Sequence, residues 1–237
     1  MTKDLTDNNY IRINTDHCAL YLLLLGEFLR IHQYLFNRPL WVDESYLSLN
    51  IINKPLLELL FNKLQYQQLA PQTYLLITKI ITMIFGCSEY SLRAFSLICG
   101  IVSLLLFYKT AKDLLNAGPR LIALFLFTTS QQLIYYSSEA KQYSLDVLIA
   151  LILINLSYNA IKSNYDFKRT SYLSIAGFIA AWSSHSTILI FSGLYFGLLI
   201  DLILNKRFRH TKQLLIIGFL WGIGIFLYFQ QTLHLCF

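Results

Sequence analysis

The chain has 237 residues, 56% of them hydrophobic and only 14% charged, and its mean hydropathy is +0.51. That composition excludes an ordinary soluble domain. The formal net charge of +6 is no sign of nucleic acid, because basic residues flanking apolar runs mark cytoplasmic loops.

Apolar runs recur from end to end, which predicts an all-α polytopic membrane protein of about seven spans. Lys3 and Arg12 precede the first run, and no small-residue cleavage site follows it. Residues 1–16 therefore read as a cytoplasmic tail and 18–36 as a retained span. Within that span Glu27 and Arg30 are three apart and share a helix face. An acid at this depth costs at least ~2.5 kcal/mol unless partnered. Either the two pair, or Arg30 reaches outward toward a phosphate.

The stretch "NRPLWVDESYLSLN" (37–50) then sets two carboxylates, Asp43 and Glu44, just past the span. Acids are scarce, 13 in the whole chain. Asp43 is placed to cap a short helix through Asn53, which Pro55 interrupts. A second short helix is predicted over 56–66, with Leu56, Leu59, Leu60, the Lys63 stem and Leu64 on one face. The next apolar run, 71–85, opens on Pro71 and closes before Gly86. It is short and carries Lys79. If it crossed the membrane, every later loop would change sides.

The basic residues decide the matter. Further spans are predicted over 91–108, 121–136, 144–161, 171–183, 187–204 and 213–229. With 71–85 lying flat in the interface and the N-terminus inside, twelve of the 19 basic residues fall on the cytoplasmic side. The positive-inside rule favours that arrangement. Residues 37–90 then form one large external loop, with helices lying on the membrane like a collar.

Four polar features share the outer face in this topology. They are Asp43 with Glu44; Arg93 in "EYSLRAFS"; "YYSSEAKQYS" (135–144); and His185 in "WSSHST". Each has a plainer role available: a cap for Asp43, snorkelling for Arg93, a solvated turn for Glu139 and Lys141, an interfacial turn for His185. A helix continuing through 136–143 would place Tyr136, Glu139 and Tyr143 on one face. Aromatic rings around an acid suit a sugar or lipid head group, and equally an ordinary aromatic belt. Cys18, Cys87, Cys99 and Cys236 have no metal-ligand spacing.

At these residues the chain resembles the polyprenyl-phosphate-sugar-dependent glycosyltransferases of the GT-C class, relatives of protein O-mannosyltransferases and aminoarabinose transferases. The matching elements are Arg30 with Trp41, Asp43 and Glu44; then Phe85, Gly86, Ser88, Glu89, Arg93 and Ser96. They continue with Tyr136, Ser137, Glu139, Ala140, Lys141 and Tyr143, and end at the turn holding His185. The resemblance runs over about 20–228. It departs at "LAPQTY", where many members carry His-Pro-Pro-Leu-Tyr, and in length, since members continue through more spans. The chain is accordingly expected to be one domain corresponding to an N-terminal portion.

The resemblance implies sugar transfer from a polyprenyl-phosphate donor to a glycan, lipid or protein acceptor on the external side of a bacterial plasma membrane. Asp43 would be the base and Glu44 its orienting partner. Arg93, Lys141, His185 and Arg30 would hold the donor phosphate, because guanidinium and ammonium groups suit its oxygens. Glu139, Tyr136, Tyr143 and Trp41 would contact sugar or acceptor. No cofactor is certain from the resemblance, and a divalent ion on Asp43 and Glu139 is left open. The competing readings are a glycolipid binder or transporter without transferase activity, and an inactive remnant. A transporter would bury its polar groups near mid-membrane, whereas here they gather at one face.

Overall fold

The apolar runs fold as α-helices joined by short connections. The computed structural model describes residues 15–236, with side chains to 231, so the expected tail with Lys3 and Arg12 lies outside the described residues. The helices are α1 (Thr15–Leu35), α2 (Val42–Asn53), α3 (Leu56–Phe61), α4 (Gln72–Phe85), α5 (Glu89–Leu114), α6 (Ala117–Thr129), α7 (Gln131–Tyr136), α8 (Tyr143–Lys162), α9 (Phe167–Ser183), α10 (Thr187–Leu204) and α11 (Thr211–Cys236). Among the described residues there is no strand. The protein is an all-α membrane protein.

Helix occurs at each of the seven expected spans, but only four are long and apolar enough to cross a membrane by length and composition. These are α5, α8, α10 and the stretch Phe208–Gln231, which takes in most of α11. The other three fall short for visible reasons. α1 has 21 residues but carries Asp16, Glu27 and Arg30. α9 has 17, with Lys168 and Arg169 in its first turn. α6 has 13, and the chain leaves helical geometry at Ser130 before α7 resumes.

Side-chain contacts fix the direction of each helix. At one end of the bundle Tyr34, near the end of α1, donates to the carbonyl of Tyr90 at the start of α5 (2.9 Å). There too Thr73 of α4 meets Ser183 of α9 (2.9 Å), and His185 meets Tyr228 of α11. At the opposite end Arg120 of α6 pairs with Asp16 of α1 (3.3 Å). Tyr158 donates to Asp113 (3.0 Å) and Arg207 to Ile161 (3.1 Å). The long helices thus alternate in direction from α1, through α5, α6–α7, α8, α9 and α10, to α11. Both ends of α4 stay at the first end, one against Ser183 and the other at Gly86, whose carbonyl accepts from Ser91 (2.6 Å). At 14 residues it is ~21 Å long, short of a ~30 Å hydrocarbon core.

The interior holds three apolar clusters. One joins α2, α4, α5 and α8 through Leu47, Ile51, Tyr74, Phe95 and Leu145. A second joins α8 to α11 through Leu153, Leu173, Leu198 and Trp221. The third packs Ala19, Leu104 and Leu124 between α1, α5 and α6. Large apolar side chains outside them, such as Phe28, Ile98, Leu189, Phe196 and Phe219, are exposed, as a lipid-facing surface requires.

The long segment between α1 and α5 departs from expectation twice. α3 ends at Phe61 rather than at Tyr66. From there the chain is irregular to α4, and Tyr66 and Gln67 adopt left-handed φ of +59° and +54°. Asn50 holds this segment in place: its Nδ2 donates to Gln65 O (3.2 Å) and its Oδ1 accepts from Gln65 N (2.7 Å). Asp43 does not cap α2. Trp41 is the N-cap residue, and its backbone N–H is met by Glu44 Oε2 at 3.0 Å, the reciprocal half of a capping box.

Candidate active site

Glu44 is wholly buried at the junction of three chain segments. Its carboxylate accepts from Ala140 N (2.7 Å), Arg38 Nη1 (3.0 Å) and Trp41 N (3.0 Å), and from Arg93 Nε and Nη2 at 3.3–3.4 Å. Arg93, 1% exposed, also donates to Arg38 O (2.7 Å) and Asn37 Oδ1 (3.4 Å). A charge pair this deep persists because the Arg93 nitrogens and both Glu44 oxygens all find hydrogen-bond partners. Together the two side chains dock α2, the start of α5 and the 137–142 turn on one another.

Asp43 is the next residue back, and its side chain is 64% exposed. Its Oδ2 lies 2.8 Å from Lys141 Nζ, and its Oδ1 accepts from Gln68 Nε2 at 2.8 Å. Lys141 Nζ also donates to Gln68 Oε1 at 2.7 Å, which closes a three-membered ring of contacts. Hydrogen bonds from Lys141 and then Gln68 hold the Asp43 carboxyl below its usual range, against the opposing effect of burial. Ser96 Oγ fixes the turn by donating to Lys141 O (3.0 Å).

Glu139 is in the opposite state. Its Oε2 is buried with no hydrogen-bond partner. Desolvation first, then the neighbouring charge of Glu44, pushes its carboxyl up to about 7, with Arg38 and Lys141 acting the other way. The chain between α7 and α8 is a turn, as the span ends at 136 and 144 predict, and without a continuing helix the rings of Tyr136 and Tyr143 still meet, with centroids 4.8 Å apart. Trp41 exposes 64% of its surface, and Arg38 lies over the Tyr135 ring at 4.3 Å.

The network therefore gathers Asp43, Glu44, Arg93 and Lys141, and Glu139 adjoins it. Two expected members stand apart. His185 forms a 2.6 Å hydrogen bond through Nδ1 with Tyr228. It shares the wall of a cavity of about 260 Å³ with Gln68, Leu59, Leu64 and Leu75. Arg30 is buried in the bundle, donating to Gly26 O at 3.0 Å. Glu27 offers it no hydrogen bond, since both Glu27 oxygens are without a partner. A hydrogen-bonded Glu27–Arg30 pair is therefore absent, and Arg30 borders a small cavity together with Gly100, Leu133 and Ser144.

Two members were missed. Gln68 carried no signal, being one polar residue in an irregular loop. Arg38 had one: it directly follows the first span and precedes two acids. A divalent ion does not suit this donor set. Lys141 and Gln68 already occupy both Asp43 oxygens, and among the described residues no three His, Cys, Asp or Glu side chains stand together.

Comparison with protein families matches residues 70–211, more than half of the chain, to the family described as dolichyl-phosphate-mannose-protein mannosyltransferase. The chain belongs to this family. The family is one of membrane glycosyltransferases of GT-C type, which agrees with the all-helical bundle and with a polar site at one end of it. The matched region contains Arg93, Glu139, Lys141 and His185 but begins after Asp43, Glu44 and Gln68. Comparison with curated proteins and with solved structures gave no match.

Proposed function

We propose that the protein moves a sugar from a polyprenyl-phosphate donor to an acceptor hydroxyl, with Asp43 as general base. The observation that carries this is the Asp43 carboxylate, open to the outside yet oriented by Lys141 and Gln68. The acceptor oxygen attacks the anomeric carbon and its proton passes to Asp43. The bond from that carbon to the phosphate oxygen breaks, and the polyprenyl phosphate leaves with the electron pair. An incoming phosphate competes with Asp43 for the Lys141 ammonium. Losing that partner raises the basicity of Asp43 at the moment a base is needed.

In this reading Lys141 is the cation for the developing phosphate charge. Arg93 and Glu44 are positioning residues, because their polar atoms are spent on each other and on the backbone. Arg30, which donates to Gly26 O, borders a small cavity with Leu133 and Ser144 rather than the Asp43–Lys141 contact. His185, engaged with Tyr228, belongs to the cavity wall rather than to the phosphate site. Glu139 with Tyr136, Tyr143 and Trp41 offers a polar and aromatic surface for the sugar.

The test is transfer from a labelled polyprenyl-phosphate sugar by membranes carrying Asp43→Asn. Because Asp43 is not the cap of α2, Asn leaves the helix start intact. Transfer should fall by ~10²–10⁴-fold at unchanged membrane yield. Near-normal transfer would move the base to Glu139, and no transfer by the unaltered protein from any lipid-linked sugar would overturn the proposal.

A further inference from the structure

The polar residues at the other end of the bundle take no part in this site. α8 starts beside the site at Tyr143 and runs 20 residues to Lys162, which is ~30 Å and about the thickness of a hydrocarbon core. At that far end a cavity of about 270 Å³ opens between α8 and α9, lined by Leu156, Asn159, Lys168, Arg169 and Tyr172.

Its charges are available. Arg120 is paired with Asp16 and Arg207 with Asp201, but among the described residues no ion pair involves the side chain of Lys168 or Arg169. The nearest acid in sequence, Asp166, caps α9 by accepting from Lys168 N at 3.2 Å. The Lys168 ammonium lies 6.0 Å from the centre of the Tyr172 ring. Asn159 spends Nδ2 on Asn155 Oδ1 (3.1 Å), so its carbonyl oxygen remains on offer. Two cations, a phenol, an amide and a leucine floor make a small amphipathic pocket at head-group depth.

We propose that this pocket binds the phosphate head group of an anionic phospholipid in the leaflet opposite the active site. Lys168 and Arg169 take the phosphodiester oxygens. Tyr172 and Asn159 serve the glycerol hydroxyls, and Leu156 meets the first methylenes of an acyl chain. Basic pockets between helices at a membrane face suit such head groups because two fixed cations act on one phosphate near a low-dielectric slab. This role of the pocket does not depend on the transferase reading.

The test is native mass spectrometry of the detergent-solubilised protein with equimolar phosphatidylglycerol and phosphatidylcholine. The unaltered protein should retain phosphatidylglycerol in excess, on the order of tenfold. Lys168→Gln/Arg169→Gln should abolish the excess, while Lys109→Gln/Lys112→Gln, which removes the same charge at the same end, should keep it. Both doubles alter exposed side chains, and a matching size-exclusion profile establishes the fold. Equal loss in the two doubles, or no preference in the unaltered protein, would overturn the proposal. So would displacement of the lipid by millimolar inorganic phosphate, which would make the pocket a site for the free anion.

Discussion

Adjacent residues Asp43 and Glu44 have opposite fates, and the difference is burial. On a helix they point about 100° apart, so one meets solvent and the other the junction of α2, α5 and the 137–142 turn. A sequence reading places both at the chemistry, Asp43 as base and Glu44 as its orienting partner. For stability the buried Glu44 is the more sensitive of the two. Glu44→Gln puts an amide group where five donors converge and strips the counter-charge from buried Arg93. Breaking a buried pair costs about 3–5 kcal/mol, so the variant should lose most of its folded yield and melt earlier than Asp43→Asn in the same detergent. Glu139 makes a second prediction, and its sign follows from its raised pKa. A carboxyl held at about 7 binds a proton in the folded state that the unfolded chain has already released above its ordinary value of 4.5. Stability therefore falls as pH rises from that ordinary value to the folded one. Glu139→Gln removes that dependence. Relative to the unaltered protein it should be stabilised at pH 8 by up to ~2 kcal/mol, a figure discounted for the partial exposure of the side chain. The gain should vanish at pH 4, as thermal melts at the two pH values would show. A variant no more stable at pH 8 than at pH 4, relative to the parent, would remove Glu139 from the list of strained groups.

At the scale of elements, periodicity and charge located α1, α5, α8, α10 and α11 well, because a long apolar run has one outcome in lipid. The α4 helix was legible too, with Pro71 and Gly86 at its ends. What was not legible were features set by distant contacts. α3 stops at Phe61 because Asn50 captures the Gln65 backbone, and α6 breaks at Ser130 with no Pro or Gly to announce it. Gln68 reaches Asp43 only because Tyr66 and Gln67 turn the chain through left-handed φ. Close packing was equally hidden. Gly177 of α9 faces Trp221 of α11 so closely that a Cβ would overlap the indole, whose Nε1 donates to Leu173 O at 3.3 Å. Small residues permit such approach between membrane helices. Gly177→Ala should force α9 and α11 apart, at a cost of about 1–3 kcal/mol typical of overpacking. Gly193→Ala, where a Cβ meets nothing within 4 Å, should leave the melting temperature unchanged or slightly raised.

Across the whole molecule, basic residues are denser at the end of the bundle away from the site, although Arg38, Arg93 and Lys141 stand at the site itself. The helix directions tie that asymmetry to topology. Residues 37–88, the 137–142 turn and 184–186 share one end of the bundle, while 115–116, 163–166 and 205–210 share the other, where Lys162, Lys168, Arg169, Lys206, Arg207 and Arg209 also lie. The positive-inside rule predicts that the site faces outside. In a cysteine-free background, a membrane-impermeant maleimide added to intact cells should label Lys63→Cys and Gln67→Cys, both exposed at the site end. It should leave Asn116→Cys and Asn205→Cys unlabelled until the membrane is opened. The placement of α4 decides this outcome. Were α4 to cross the bilayer, 37–70 would face the opposite side from 137–142, and Lys141 could not hold Asp43 at 2.8 Å. Labelling of Asn116→Cys together with Lys63→Cys in intact cells would therefore break the alternation of helices and the Asp43–Lys141 contact with it. Labelling of Asn116→Cys and Asn205→Cys alone would keep the site intact and turn the whole bundle over, placing the sugar transfer on the cytoplasmic face.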